Sequence, residues 1–413
     1  MNCRHCHAPL AHRFLDLGFA PPSNAYVERE RLGAPEMRYP LRLLVCDRCW
    51  LVQTEDFVEA GALFNADYAY FSSVSRTWLD HASRYAQQIR TRLALTTTSF
   101  VVEIAANDGY LLRNFVEAGI PCLGIEPTDA TADAAERLGI PIVRAFFGAG
   151  MATSLVAEHG RADLIVANNV FAHVPDINDF SLGLARALKP GGTITLEFPH
   201  LLRLIQNDLF DTVYHEHFSY LSLTTAQAIL AGAGLRVVDV EEVSTHGGSL
   251  RVYAAHDDDR RRATPAVAAV VTRERDAGLL RLDTYQGFQS RVERIADDLM
   301  VFLVEQKRAG RKVAGYGAAA KGNTLLNFAG VRTDLLPYVC DAAPSKQGKY
   351  LPGSHIPIVA PDELRSRRPD VVLILPWNIA GEVMEQQREV VAQGATFAVA
   401  VPRLRTGLER AAS

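Results

Sequence analysis

Short runs of unbroken hydrophobicity punctuate the chain, and stretches of helical spacing separate them. Residues 100–105 (Phe-Val-Val-Glu-Ile-Ala), 122–126 (Cys-Leu-Gly-Ile-Glu), 163–169 (Asp-Leu-Ile-Val-Ala-Asn-Asn) and 194–198 (Ile-Thr-Leu-Glu-Phe) read as buried parallel strands. Asn107-Asp108-Gly109-Tyr110 is the turn from the first strand into a helix, and Leu188-Lys189-Pro190-Gly191-Gly192 is a loop leading into the last. From about 264 to 309 the period lengthens. Val267, Val270, Val271, Leu279, Leu282, Ile295, Leu299, Phe302 and Leu303 recur at helical spacing, with no proline after Pro265. Strand-like runs return at 312–316, 338–341, 371–375 and 397–401. The pattern predicts an α/β protein whose second, smaller α/β unit follows connecting helices.

A chain of 413 residues exceeds one ordinary core, so two to three domains are expected. With 48% hydrophobic and 22% charged residues, the composition is that of an ordinary globular protein. A net charge of -4 argues against a general nucleic-acid binder or a membrane-surface protein. Arg260-Arg261-Arg262, after Asp257-Asp258-Asp259, reads as a solvated loop. No apolar run approaches the ~18 residues of a membrane span. Met1-Asn2-Cys3-Arg4-His5 lacks the apolar core of a secretion signal, so a cytoplasmic protein with reduced cysteines is expected. Nothing in the sequence fixes the oligomeric state, and a monomer is compatible with it.

Cysteine spacing adds a metal. Cys3-x-x-Cys6 and Cys46-x-x-Cys49 are two knuckles separated by 39 residues, enough chain to form a small lobe of its own. Four thiolates complete a tetrahedron around Zn²⁺ and leave no open position, so the site is structural rather than catalytic. His5, His7 and His12 lie close enough to replace one ligand. Cys122 and Cys340 sit alone in apolar runs and read as small core residues.

The densest chemistry is Val213-Tyr214-His215-Glu216-His217-Phe218-Ser219-Tyr220, which holds two imidazoles, a carboxylate and two phenols. Such groups remove a proton from carbon and steady the negative charge left behind, although packing is the plainer reading of any one tyrosine and a surface ion pair that of a histidine beside a carboxylate. Glu126, 17 residues after Gly109, suits both hydroxyls of a cofactor ribose. Gly315-x-Gly317-x-x-Ala320, with Asp341 24 residues beyond Gly317, is a weak dinucleotide fingerprint. Lys321 and Asn323 at the following helix N-terminus suit a diphosphate.

Taken together, the acid Glu103 heading the first strand–turn motif and the Leu-Lys-Pro-Gly-Gly loop make the middle of the chain resemble a class I S-adenosylmethionine methyltransferase. The glycine pattern is only partly kept, because Ala105 and Asn107 stand where glycines are usual and Gly109 remains. The resemblance implies cofactor contacts from Glu103, Ala105, Asn107, Gly109, Tyr110, Glu126, Asn168 and Asn169.

With the cysteine quartet and the Tyr-His-Glu-His-Phe-Ser-Tyr stretch added, the whole chain resembles the sugar C-methyltransferases that act on nucleotide-linked 4-keto-6-deoxysugars. This resemblance implies a zinc-binding domain over 1–62, a methyltransferase domain over 63–285 and a Rossmann-like substrate-side domain over 286–413 without a second cofactor. It implies His217 as the base, with Tyr214, Glu216, Tyr68 and His173 around it, and Tyr70, Ser72, Lys321 and Asn323 toward the substrate. It prefers C3 as the methylated carbon and dTDP as the nucleotide. Two rivals stay open: an NAD-dependent nucleotide-sugar oxidoreductase or epimerase using residues 315–320, and a zinc-ribbon interaction protein with a non-catalytic core. C5 is open to the same chemistry, because the 4-keto group acidifies both neighbours.

Overall fold

Three sheets carry the strands of the computed structural model, which describes residues 1–57, 61 and 71–408. The first is antiparallel. In it β1 (His12–Ala20), β2 (Tyr39–Val45) and β3 (Val52–Thr54) pair in sequence, and the distant two-residue β9 (Ser219–Tyr220) joins β3 through Val52↔Tyr220 and Gln53↔Ser219.

The apolar runs of the middle region form a seven-stranded sheet. Its members are β4 (Val101–Ile104), β5 (Cys122–Ile125), β6 (Ile142–Val143), β7 (Ala162–Asn168), β8 (Leu188–Pro199), β10 (Leu235–Val243) and β11 (Ser249–His256). They lie in the order β10-β11-β8-β7-β4-β5-β6. The strands from β4 to β8 pair in parallel, and β11 runs antiparallel between β8 and β10. That is the class I methyltransferase arrangement. Parallel strands are covered on both faces, which is why Leu164, Ile165, Val166 and Ala167 read as one apolar run and all have 0% exposure. Because β4 has β5 on one side and β7 on the other, the turn after β4 lies at a topological switch point, where such sheets open to ligands. The expected 188–192 loop differs in detail. Both of its ends pair with β7 (Ala162↔Leu188, Leu164↔Thr193), so it is a bulge inside β8 rather than a free connection.

A third sheet contains β12 (Val313–Tyr316), β13 (Val339–Cys340), β14 (Ile358–Val359), β15 (Val371–Ile374), β16 (Thr396–Val399) and β17 (Arg405–Thr406). Its order is β14-β13-β12-β15-β16-β17, with only β17 antiparallel. The helices predicted between the second and third sheets are Pro265–Asp276, with proline in the first turn, Asp283–Gln286 and Phe288–Arg308.

The third of these buries Phe288, Val292, Ile295, Leu299, Phe302 and Leu303 along one stripe. They join one apolar cluster that runs from Phe14, Leu15 and Leu43 in the first sheet through Phe210 and Val213 to Leu325 and Leu373. Cys3 and Cys46 belong instead to the cluster of Val102, Ile165 and Leu196. The N-terminal lobe is therefore wedged against both other sheets. Among the described residues no helix is long and apolar enough to cross a membrane.

Candidate metal centre and active site

The four cysteines converge. Their sulfurs all lie within 4.8 Å of one another, and the Cys3–Cys49 and Cys6–Cys46 pairs are 3.5 Å apart. A tetrahedron of ~2.3 Å Zn–S bonds places its sulfurs about 3.8 Å apart, so the quartet fits the ion. The two knuckles share one backbone form. The residue after each second cysteine, His7 or Trp50, has a positive φ (61° and 62°) and donates its N–H to the first cysteine's carbonyl at 3.0 Å. His5 is no ligand here, since its Nδ1 lies 2.9 Å from Asn178 Oδ1, and His12 pairs with Asp47.

Residues 210–220 form the joint between all three sheets. Phe210–Thr212 packs on the helix Ala320–Ala329, and β9 at the other end extends the N-terminal sheet. Between them, His217 is buried. Its ring lies 4.0 Å from that of Tyr214, 4.6 Å from that of His173 and 5.9 Å from that of Tyr220, centroid to centroid. Its Nδ1 is 2.9 Å from the Thr212 carbonyl. A carbonyl only accepts, so Nδ1 carries the hydrogen and the lone pair stays on Nε2. Burial, and then His173, holds its pKa well below 6.5, so the ring is neutral.

Glu216, the immediate neighbour of His217, does not orient that ring. Both its oxygens accept from Asn24 Nδ2, at 2.9 and 2.8 Å. His215 turns toward the N-terminal lobe, 3.4 Å from the Tyr39 carbonyl. Tyr68 and Tyr70 lie outside the described residues. Ser72 is buried, and its N–H donates to Asn107 Oδ1.

The turn after β4 keeps the conformation that glycines would give it. Ala105 (φ 56°), Asn107 (φ 50°) and Gly109 (φ 77°) are all left-handed. At Gly109 a Cβ would lie 2.4 Å from Ile140 Cδ1, so glycine is required there on two counts. Ala105 bears strain without such a contact, and Ala105→Gly is expected to raise stability by up to about 1 kcal/mol, read as a higher thermal midpoint. Glu126 closes the turn. Its Oε2 accepts from Asn107 N–H at 2.9 Å, and its Oε1 accepts from Thr128 N–H and Oγ1. Tyr110 is buried with its ring 6.0 Å from Trp78.

Around Lys321 and Asn323 stand other groups that their spacing did not single out. His246, between β10 and β11, has φ 53° and lies with its ring 5.4 Å from that of Trp78 at an interplanar angle of 56°, and burial pushes its pKa down to about 4. Its turn continues into Gly247, where a Cβ would meet Trp377 at 2.5 Å. Trp377 in turn donates its indole N–H to Asp211 Oδ2 at 2.7 Å and carries the Lys321 ammonium 4.7 Å above its ring. Lys321 also donates to Asn378 Oδ1 at 2.6 Å, and its charge reaches both His217 and His246. Asn323, two residues on, points elsewhere and donates to the Ser23 carbonyl at 2.6 Å. Behind the cleft, Glu197 accepts from His81, Arg251 and Thr245. Burial would raise its carboxyl, but the His81 and Arg251 partners bring it down to about 2. The only signal for His246 was the Gly-Gly that follows it at a strand end.

Three family models match consecutive parts of the chain: "Putative zinc binding domain" over residues 3–64, "Methyltransferase domain" over 78–240 and "C-methyltransferase C-terminal domain" over 244–402. A Streptomyces niveus protein named C-methyltransferase NovU is 34% identical over 404 residues, covering 98% of this chain and 96% of that one. The chain belongs to the C-methyltransferases.

Among solved structures, a S-adenosylmethionine-dependent methyltransferase from Clostridium acetobutylicum is 12% identical, covering 43% of this chain and 92% of its own, with TM-score 0.35. The glycopeptide N-methyltransferase MtfA complexed with S-adenosylmethionine is 15% identical, covering 42% and 94%, with TM-score 0.34.

This C-methyltransferase uses S-adenosylmethionine as methyl donor and holds zinc in its N-terminal domain. The turn after β4 fits the donor chemically. Both oxygens of Glu103 and the side-chain oxygens of Asn168 and Asn169 are buried acceptors with no well-formed hydrogen bond among the described residues. Burial, with Asp108 and Glu126 nearby, holds the Glu103 pKa well above 4.5. Unsatisfied buried acceptors are costly, and the cofactor's ammonium and hydroxyl groups are donors.

Proposed function

We propose that the enzyme methylates C3 of a nucleotide-linked 4-keto-6-deoxysugar, with dTDP as the preferred carrier, through a base-generated enolate in deoxysugar biosynthesis. The observation that carries this reading is the His217 tautomer, fixed by the Thr212 carbonyl with the Nε2 lone pair left over. Nε2 takes the C3 proton, the C–H electron pair moves toward the C4 oxygen, and Tyr214 and Tyr68 donate to that oxygen. S-adenosylmethionine bound at the turn after β4 would supply an electrophilic methyl to the C3 carbanion and would leave as the neutral thioether.

Glu103, Ala105, Asn107, Gly109, Tyr110, Glu126, Asn168 and Asn169 form the donor cradle. His173 stands beside His217 as a second-rank base, Tyr70 and Ser72 approach the substrate, and Glu216 receives a sugar substituent. The domains divide at 1–62, 63–285 and 286–413, and the enzyme works in the cytoplasm. Groups around the 315–320 turn support a nucleotide-free C-terminal domain. Asp341 accepts from Ala318 N–H (2.7 Å) and Ala343 N–H (2.8 Å), and the Ala318 carbonyl accepts from Tyr26 and Lys346.

Lys321 would meet the diphosphate, with Asn323 supporting the helix from behind. Charge-assisted bonds are worth about 1.5–3 kcal/mol, so Lys321→Ala is expected to raise KM for the nucleotide sugar by about 10- to 100-fold with a smaller change in kcat. The overall test is a panel of 4-keto nucleotide sugars incubated with S-adenosylmethionine, read by mass spectrometry and by NMR of the methylated carbon. A methyl on C5, or none on any sugar, would refute the reading.

A further inference from the structure

After β1 the chain leaves the N-terminal sheet, and residues 23–26 (Ser-Asn-Ala-Tyr) pass between the 213–220 segment and the turn after β12. Three contacts fix this strap. Asn323 Nδ2 donates to the Ser23 carbonyl at 2.6 Å, and the Tyr26 hydroxyl donates to the Ala318 carbonyl at 2.5 Å. The third contact is the one made to Glu216. The Asn24 amide bridges both carboxylate oxygens, at 2.9 and 2.8 Å, and no other side chain among the described residues donates to them.

The choice of partner is informative. A buried carboxylate meant only to hold the fold is ordinarily neutralised by Arg or Lys, whereas an amide satisfies one lone pair on each oxygen and leaves the charge in place. Glu216 thus retains acceptor capacity beside the Tyr214 and His217 rings, with 2% of its surface exposed. We propose that Asn24, delivered by the zinc-binding lobe, is a positioning residue that holds the Glu216 carboxylate as an acceptor for a hydroxyl or ammonium group of the sugar. This rests on the reading of the 213–220 segment as the substrate site. In this arrangement the metal-bound lobe completes the active site instead of merely flanking it.

The groups around Glu216 come from three elements. Tyr26 faces it from the strap, His173 meets its backbone, and Tyr214 and His217 lie within two residues of it in sequence. Lys346 and Asp341 stand behind Tyr26. Burial pushes Glu216 up to about 7, and Asn24 opposes that rise. Removing the amide therefore leaves the carboxyl protonated to higher pH.

The decisive measurement is infrared titration of the buried carboxyl C=O band in the full-length zinc-loaded protein, assigned by its disappearance in Glu216→Gln. In Asn24→Ala the midpoint is expected to rise by about one pH unit, and in Asn24→Ser, which keeps a donor, by less. An unmoved midpoint in Asn24→Ala with full zinc content, or a shift in Asn24→Ser as large as that in Asn24→Ala, overturns the proposal, whatever the substrate proves to be. With an active sugar from the panel, the acid limb of kcat/KM should move the same way. A shifted band with an unshifted limb also overturns it, because Glu216 is then idle in turnover. Failure of every sugar in the panel, with the band shifted, sinks the assigned chemistry and leaves the Asn24–Glu216 positioning standing.

Discussion

His217→Ala is expected to abolish the entry of deuterium at C3 of a dTDP-4-keto-6-deoxysugar in deuterium oxide, in the presence of an unreactive analogue of the methyl donor. Methyl transfer should fall by about 10²–10⁴-fold, the usual worth of a positioned base. Exchange isolates proton removal from methyl transfer, so it reports on the imidazole alone. His173 is the internal control, since its ring lies 4.6 Å from that of His217. His173→Ala should therefore slow exchange without abolishing it. Persistent exchange in His217→Ala, with loss in His173→Ala, would transfer the role to His173.

The electrostatics make a second demand on the same experiment. Burial keeps His217 neutral well below 6.5, so its own protonation does not limit activity near neutral pH. The group beside His217 that titrates there is Glu216, pushed up to about 7, with Asp211 pushed up to about 6 below it. Activity should thus be lost as pH falls through about 7 because Glu216 gains a proton, while exchange at C3 depends less steeply on pH.

Much of this was legible in the chain because the signals are local. The continuous apolar runs at β4, β5 and β7 declare strands covered on both faces, and two Cys-x-x-Cys knuckles declare a metal. Even the departures from the glycine pattern proved conservative in conformation, since Ala105 and Asn107 adopt the left-handed backbone that glycines adopt freely. What the sequence concealed is contact at long range. Adjacency in sequence does not reveal what orients His217, and it is the Thr212 carbonyl, five residues back, that does so. Glu216 instead meets Asn24, 192 residues away, through a loop whose composition announces only a turn. The pairing of β9 with β3 is likewise invisible, because two residues carry no periodicity. His246 and Asp211 are tied together by Trp377, which follows β15 of the third sheet and lies against both of their segments.

The metal prediction has the largest expected effect on stability. Purified protein should contain one zinc per chain, and Cys46→Ser should lose it together with the fold of the first ~60 residues. Structural zinc contributes about 10–16 kcal/mol in small finger peptides, as much as a typical domain's whole stability. Here the loss should be felt beyond the lobe. Cys3 and Cys46 pack into the cluster that contains Val102, Ile165 and Leu196, so a disordered knuckle uncovers the methyltransferase sheet. Arg4 and His5 would release Pro175 and Asn178, which anchor the lobe to the central domain. The 23–26 strap would lose its frame, and with it Asn24 would leave Glu216. Cys122→Ser supplies the contrast, because Cys122 is buried in β5 as a lone thiol outside the quartet and its loss should leave the zinc content at one. Thermal unfolding with and without a chelator, beside zinc analysis, separates the two. A Cys46→Ser protein that folds, melts and methylates like the parent would remove zinc from the structural argument altogether.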